Sequence, residues 1–199
     1  MTEIIVKKIA RWGFALALLP LAACNSNPGN QLASTVPSPQ TLPSVSASDQ
    51  KFLNQAASAD LFEVQSSQLA LQRSRNAQTR RYAQRIVDDH TASGQRVAQL
   101  AQSNGINLPS GMGPEEQRAY AAIENTRRIF DSEYFRQQAL AHQSAIANYE
   151  SEASSGYNND VKQFAQNTLP SLREHLQMAQ EGRQTPMGRV SARPSLNAN

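Results

Sequence analysis

Cysteine is almost absent: the 199-residue chain has one, Cys24, so no disulfide can form within it and the fold must rest on its core. Aromatic residues amount to 6% and there is one tryptophan. No run alternates apolar and polar residues with Val, Ile or Thr enrichment, which excludes a sheet protein. Glycine-rich phosphate loops are lacking, and so is any serine or cysteine nucleophile set beside a histidine and an acid, so the chain is expected not to be an enzyme. Basic excess is also small. Of the formal +3, Lys7, Lys8 and Arg11 against Glu3 carry +2 within the first 23 residues, which leaves +1 for the rest and excludes nucleic acid as a partner. Histidine is scarce too, with three in all, His90, His142 and His175.

What is present at the start is an export signal. Lys7, Lys8 and Arg11 precede an apolar stretch from Trp12 to Ala23, too short to span a bilayer of roughly 20 helical residues and therefore read as a cleaved signal. Leu21-Ala22-Ala23-Cys24 resembles the bacterial lipoprotein processing box, which makes Cys24 the lipid attachment point and the membrane a partner. By the same resemblance, Asn25 after the cysteine points to the outer membrane, with the domain in the periplasm. Residues 1–23 are thus a signal peptide. Residues 24–47, rich in Pro and Ser, are a lipidated flexible tether, 48–183 the folded domain, and 184–199 a disordered tail.

The folded part reads as all-α. Helix starts are expected near Ser46 or Ser48, where a hydroxyl caps free amides, near Ala77, at Pro114 with Glu115 and Glu116 behind it, and near Asn158. Ends are expected at Asn104-Gly105, near Asn125 and at Gly156, and Pro170 is expected to kink the last helix. These signals predict an up-down-up-down four-helix bundle with a short extra helix before the third main helix. The inward stripes run through Phe52, Ala56, Glu63 and Ala70; Tyr82, Ile86, His90, Val97 and Leu100; Phe135, Gln138, His142 and Tyr149; and Val161, Phe164, Leu172, His175 and Ala179.

Each main helix therefore offers one metal-capable residue inward: Glu63, His90, His142 and His175. Counted from turns at Ser74 and Gly156, they lie about 11, 16, 14 and 19 residues away, which spreads them over roughly 12 Å of bundle height. Asp89 directly precedes His90 and is turned about 100° from it, a poor co-ligand, and serves at most as an outer support together with Asp131. The Arg73, Arg75, Arg80, Arg81 and Arg85 cluster reads as a solvated face around the first helix-helix turn, with Arg80 and Arg81 as the candidate interaction residues.

Leu61-Phe62-Glu63, Tyr82-Ala83 with Val87-Asp88-Asp89-His90, Phe130-Asp131-x-x-Tyr134 ahead of His142, and Leu169-Pro170-x-Leu172-x-x-His175-Leu176 resemble the bacterial envelope family called domain of unknown function 4142, over about Asp49 to Gln180. The resemblance implies a ferritin-like bundle and fits an outer-membrane lipoprotein. Ferritin-like di-iron proteins carry Glu-x-x-His pairs. Here Val87 and Leu172 stand three residues before His90 and His175, which speaks against an oxidative di-iron centre. The expected function is a non-enzymatic structural or interaction module that meets an envelope protein or cell-wall polymer. The alternative is an envelope bundle that binds one divalent ion, zinc, iron or copper, through the inward histidines.

Overall fold

A computed structural model describes residues 45–184; the signal, Cys24, most of the tether and the tail lie outside the described residues. The described residues contain five helices and no strand: α1 (Ala47–Arg73), α2 (Ala77–Ser103), α3 (Pro114–Glu124), α4 (Phe130–Ser155) and α5 (Asn159–Gln184).

The boundaries follow from local chemistry. Ser46 and Asp49 form a reciprocal capping box at the start of α1. Asn76 accepts from the amides of Gln78 and Thr79 to start α2, and Asn158 accepts from those of Asp160 and Val161 to start α5. Gly105 takes a positive φ of 67°. It lets the Ile106 amide reach the Ala101 carbonyl at 2.9 Å and its own amide reach that of Gln102 at 3.2 Å, so the end of α2 is closed by a Schellman turn. Pro114 opens α3 with Glu115 and Glu116 in its first turn, and Asn125 ends it. α5 runs through Pro170 as one unbroken helix. The missing amide leaves the Gln166 carbonyl without its usual donor one turn earlier.

The helices pack into a bundle. α1 lies against α2 and α4, α4 against α5, and α5 against α2, while the short α3 rests on α1 and α4. A buried carboxylate ties one end together. Asp49 accepts from the Ser46 amide at its own helix start and, across the bundle, from the amides of Tyr157 and Asn158 in the turn before α5.

The core comes in two apolar blocks. One is built on Phe52, Leu53, Val97, Leu100, Tyr149, Phe164 and Leu172. Its Phe52, Tyr149 and Phe164 rings meet edge-on or tilted at centroid distances of 4.8, 6.4 and 5.8 Å. The other holds Phe62, Leu69, Tyr82, Ile86, Ile123, Tyr134, Phe135 and Ala179. On every long helix the junction of the two blocks carries buried polar groups: Asp60 and, just past Phe62, Glu63 on α1, His90 on α2, His142 on α4 and His175 on α5. Burying ionisable groups at mid-core costs stability unless something satisfies them, so this layer calls for a chemical reason.

Candidate metal centre

The three histidines meet. One ring nitrogen from each lies within 4.8 Å of the others, and all three residues are buried. The ring centroids are 5.5 Å apart for His90 and His142, 5.5 Å for His90 and His175, and 5.3 Å for His142 and His175. The expected axial spread is thereby corrected. The turns have finite length, and measured from the actual helix ends at Asn76, Gly156 and Asn158 the histidines sit at nearly equal depth. The residual offset of about three residues corresponds to roughly 4–5 Å, within side-chain reach.

The other nitrogen of each ring is already committed. His90 Nδ1 lies 2.7 Å from Asp60 Oδ1. His142 Nδ1 donates to the Gln138 carbonyl at 2.9 Å, and His175 Nε2 lies 2.9 Å from Asp89 Oδ2. A carbonyl or carboxylate can only accept, so in the neutral ring each of these nitrogens carries the proton and the opposite one presents its lone pair. Those opposite atoms, His90 Nε2, His142 Nε2 and His175 Nδ1, are buried without a hydrogen-bond partner. In the neutral rings these three nitrogens are free to accept, and a carboxylate or carbonyl behind each imidazole is the usual means of fixing a metal-binding histidine. At the outer limit of the spacing an ion at the centre would stand about 2.8 Å from each nitrogen. Closure by roughly 0.7 Å per side chain gives the usual zinc–nitrogen distance of about 2.0–2.1 Å.

Charge supports the same reading. Burial, with the positive charge of His90 and His175, holds His142 well below the ordinary imidazole range. Burial and His90 also lower His175, against the pull of Asp89. At His90 burial works downward but is outweighed by Asp60, Glu63 and Asp89, so this ring holds a proton above the usual range. Of the three rings, His90 is therefore the one that favours the protonated form in the metal-free protein.

Glu63 belongs to the layer without joining the cluster. Its Oε1 is 3.4 Å from His142 Nδ1, on the side turned away from the free lone pair, and its Oε2 is buried without a partner. Burial pushes its carboxyl up to about 7, opposed by His90 and a hydrogen bond from Gln138 and reinforced by Asp60. Gln138 is itself held by the Tyr82 hydroxyl and donates to Ser66 Oγ.

Asp89 does serve a histidine, but across the α2–α5 seam to His175 and not to its neighbour His90. Asp131 is not brought to the site: it stands in the first turn of α4, eleven residues and hence roughly 16 Å of helix from His142. Arg80 and Arg81 are both exposed, and Arg80 donates to the carbonyls of Leu71 and Ser74 and so closes the end of α1. Asp60 escaped the sequence reading. It lies three residues before Glu63 and on the same broad face, and that spacing of two acids on one buried stripe was the available signal.

Residues 34–181 match the family described as Domain of unknown function (DUF4142), and the chain belongs to that family. No curated protein and no solved structure matches the chain.

Proposed function

We propose that this protein is a metal-binding bundle in which His90, His142 and His175 hold one divalent transition-metal ion. The observation that carries the reading is that three buried histidines each bring a ring nitrogen within 4.8 Å of the others, and each ring has one nitrogen anchored and one without a partner. An all-nitrogen set without thiolate suits zinc or copper and disfavours calcium and magnesium, which take oxygen ligands. Asp60, Glu63 and Asp89 around the rings supply the negative charge that a dication needs. Four surface cavities, one of about 380 Å³ lined by Gln55, Phe62, Leu140 and Asn148 among others, are lined by residues other than the three histidines.

In this reading α1, α2, α4 and α5 form a ferritin-like, up-down-up-down four-helix bundle with α3 as the extra helix. The lipoprotein box at Cys24 would anchor it to the outer membrane. Among the described residues no helix is long and apolar enough to cross a membrane.

Elemental analysis of the protein, purified without a histidine tag and exposed to zinc or copper, tests the proposal against His90→Ala and His175→Ala. Near one ion per chain, lost in both variants while the helical circular dichroism persists, is the expected result. Metal-free protein throughout would return the polar layer to a structural role and favour the interaction-module alternative.

A further inference from the structure

Resting on the metal-binding reading, the question is how an ion reaches three buried histidines. The three anchors differ in depth. Gln138 supports His142 from within α4, and Asp60, which supports His90, has a side chain 7% exposed. Asp89, which supports His175, is 37% exposed. Asp89 Oδ2 is shared with Arg85 Nε, and Arg85 Nη2 lies 3.4 Å from Glu174 Oε2 on α5, so an exposed ionic strap crosses from α2 to α5 directly over His175. The α2–α5 seam is also the least extensive of the four between long helices. Pro170, five residues before His175, deprives α5 of a backbone hydrogen bond there.

We propose that His175 is the movable ligand and that the Arg85–Asp89–Glu174 strap is the latch of a port between α2 and α5, through which the metal ion enters and leaves. Arg85 is a positioning residue: it holds Asp89, which aims His175. Loosening the strap lowers the barrier in both directions, so rates change more than affinity.

The test is zinc transfer from the loaded chain to excess chromophoric chelator, followed by stopped flow, in wild type, Arg85→Gln and Asp60→Asn. Arg85→Gln is expected to speed both release and capture about three- to fivefold, in line with the loss of one exposed ion pair. Asp60→Asn is expected to weaken binding without that paired acceleration. In metal-free protein, exchange at the imidazole C2 position, read by mass spectrometry, should rise at His175 in Arg85→Gln relative to wild type and stay unchanged at His90 and His142. Zinc binding with unchanged rates in Arg85→Gln, or an exchange gain at His90 or His142 equal to that at His175, overturns the port and leaves the metal reading standing. Failure of wild type to bind zinc removes both.

Discussion

His90 of α2 donates from Nδ1 to Asp60 Oδ1 of α1 at 2.7 Å, and both side chains are 7% exposed. This pair holds two helices together and at the same time fixes which nitrogen of His90 faces the other histidines. Truncating Asp60 to alanine removes the anchor and leaves a buried imidazole free to turn. Zinc affinity should fall about 10- to 100-fold, as for other lost supports of metal-binding histidines. Competition with a chelator of known affinity measures it, and an unchanged Kd would argue against Asp60 as the orienting group.

His142 is 1% exposed and its Nε2 has no hydrogen-bond partner. Buried polar groups without partners cost about 1–3 kcal/mol, so replacement by a leucine of similar volume should not lower the melting temperature of the metal-free protein, and is expected to raise it. Metal binding should vanish in the same variant. A destabilised His142→Leu protein would mean that the ring contributes packing or hydrogen bonding that outweighs its buried lone pair.

The pH dependence of binding follows from His90, which keeps a proton above the usual imidazole value because Asp60, Glu63 and Asp89 outweigh its burial. A folded pKa raised above the unfolded one stabilises the metal-free protein below the unfolded value, and this contribution is lost as pH rises through the folded value. A metal ion needs the lone pair, so affinity should climb with pH across that same window and level off above it. His142 and His175, both held low, add no slope there, while Glu63, pushed up to about 7 beside the rings, titrates in the same window. Zinc titrations from pH 6 to 8.5, in two buffers of different ionisation enthalpy, should show release of at least one proton at the acid end. Binding with no proton release would contradict a protonated His90.

Glu152 offers a second pH test away from the metal layer. Its carboxyl is pushed up to about 7 by burial and by the neighbouring Asp49, with Lys162 opposing. A raised carboxyl pKa contributes stability that is complete below the unfolded value of roughly 4.3 and is lost as pH rises through about 7. Glu152→Gln cannot ionise, so its stability relative to wild type should improve between pH 5 and pH 8, by on the order of 1 kcal/mol after allowing for screening at the bundle end. Urea denaturation at the two pH values decides it, and a constant difference would be the contrary result.

Gly182, near the end of α5, faces a ring. A Cβ there would overlap Cε1 of the Phe135 ring, too close for either to stay in place. Alanine normally favours a helix over glycine by about 1 kcal/mol, yet here overpacking against a buried aromatic costs about 1–3 kcal/mol, for a net loss of up to about 2 kcal/mol. The melting temperature of Gly182→Ala should therefore drop, and a rise would show that Phe135 can move aside freely.

The elements of this protein were determined by the sequence itself, because caps and breakers act within a few residues. Ser46 with Asp49, Asn104-Gly105-Ile106, Pro114 and Gly156 mark helix ends by hydrogen bonds and φ preferences that need no distant partner. The inward direction of all three histidines was equally legible, since a side chain's place on an apolar stripe depends only on helical period. Tertiary structure alone decided the rest. The relative height of the two hairpins brought the histidines to one level, and it did so through turn lengths that no local pattern specifies. Pairing across helices chose Asp60 for His90 and Asp89 for His175, partners 30 and 86 residues apart in the chain. The direction of each imidazole lone pair, on which the chemistry of the site depends, is set by those long-range hydrogen bonds and by the Gln138 carbonyl, so it came into being only when the helices packed.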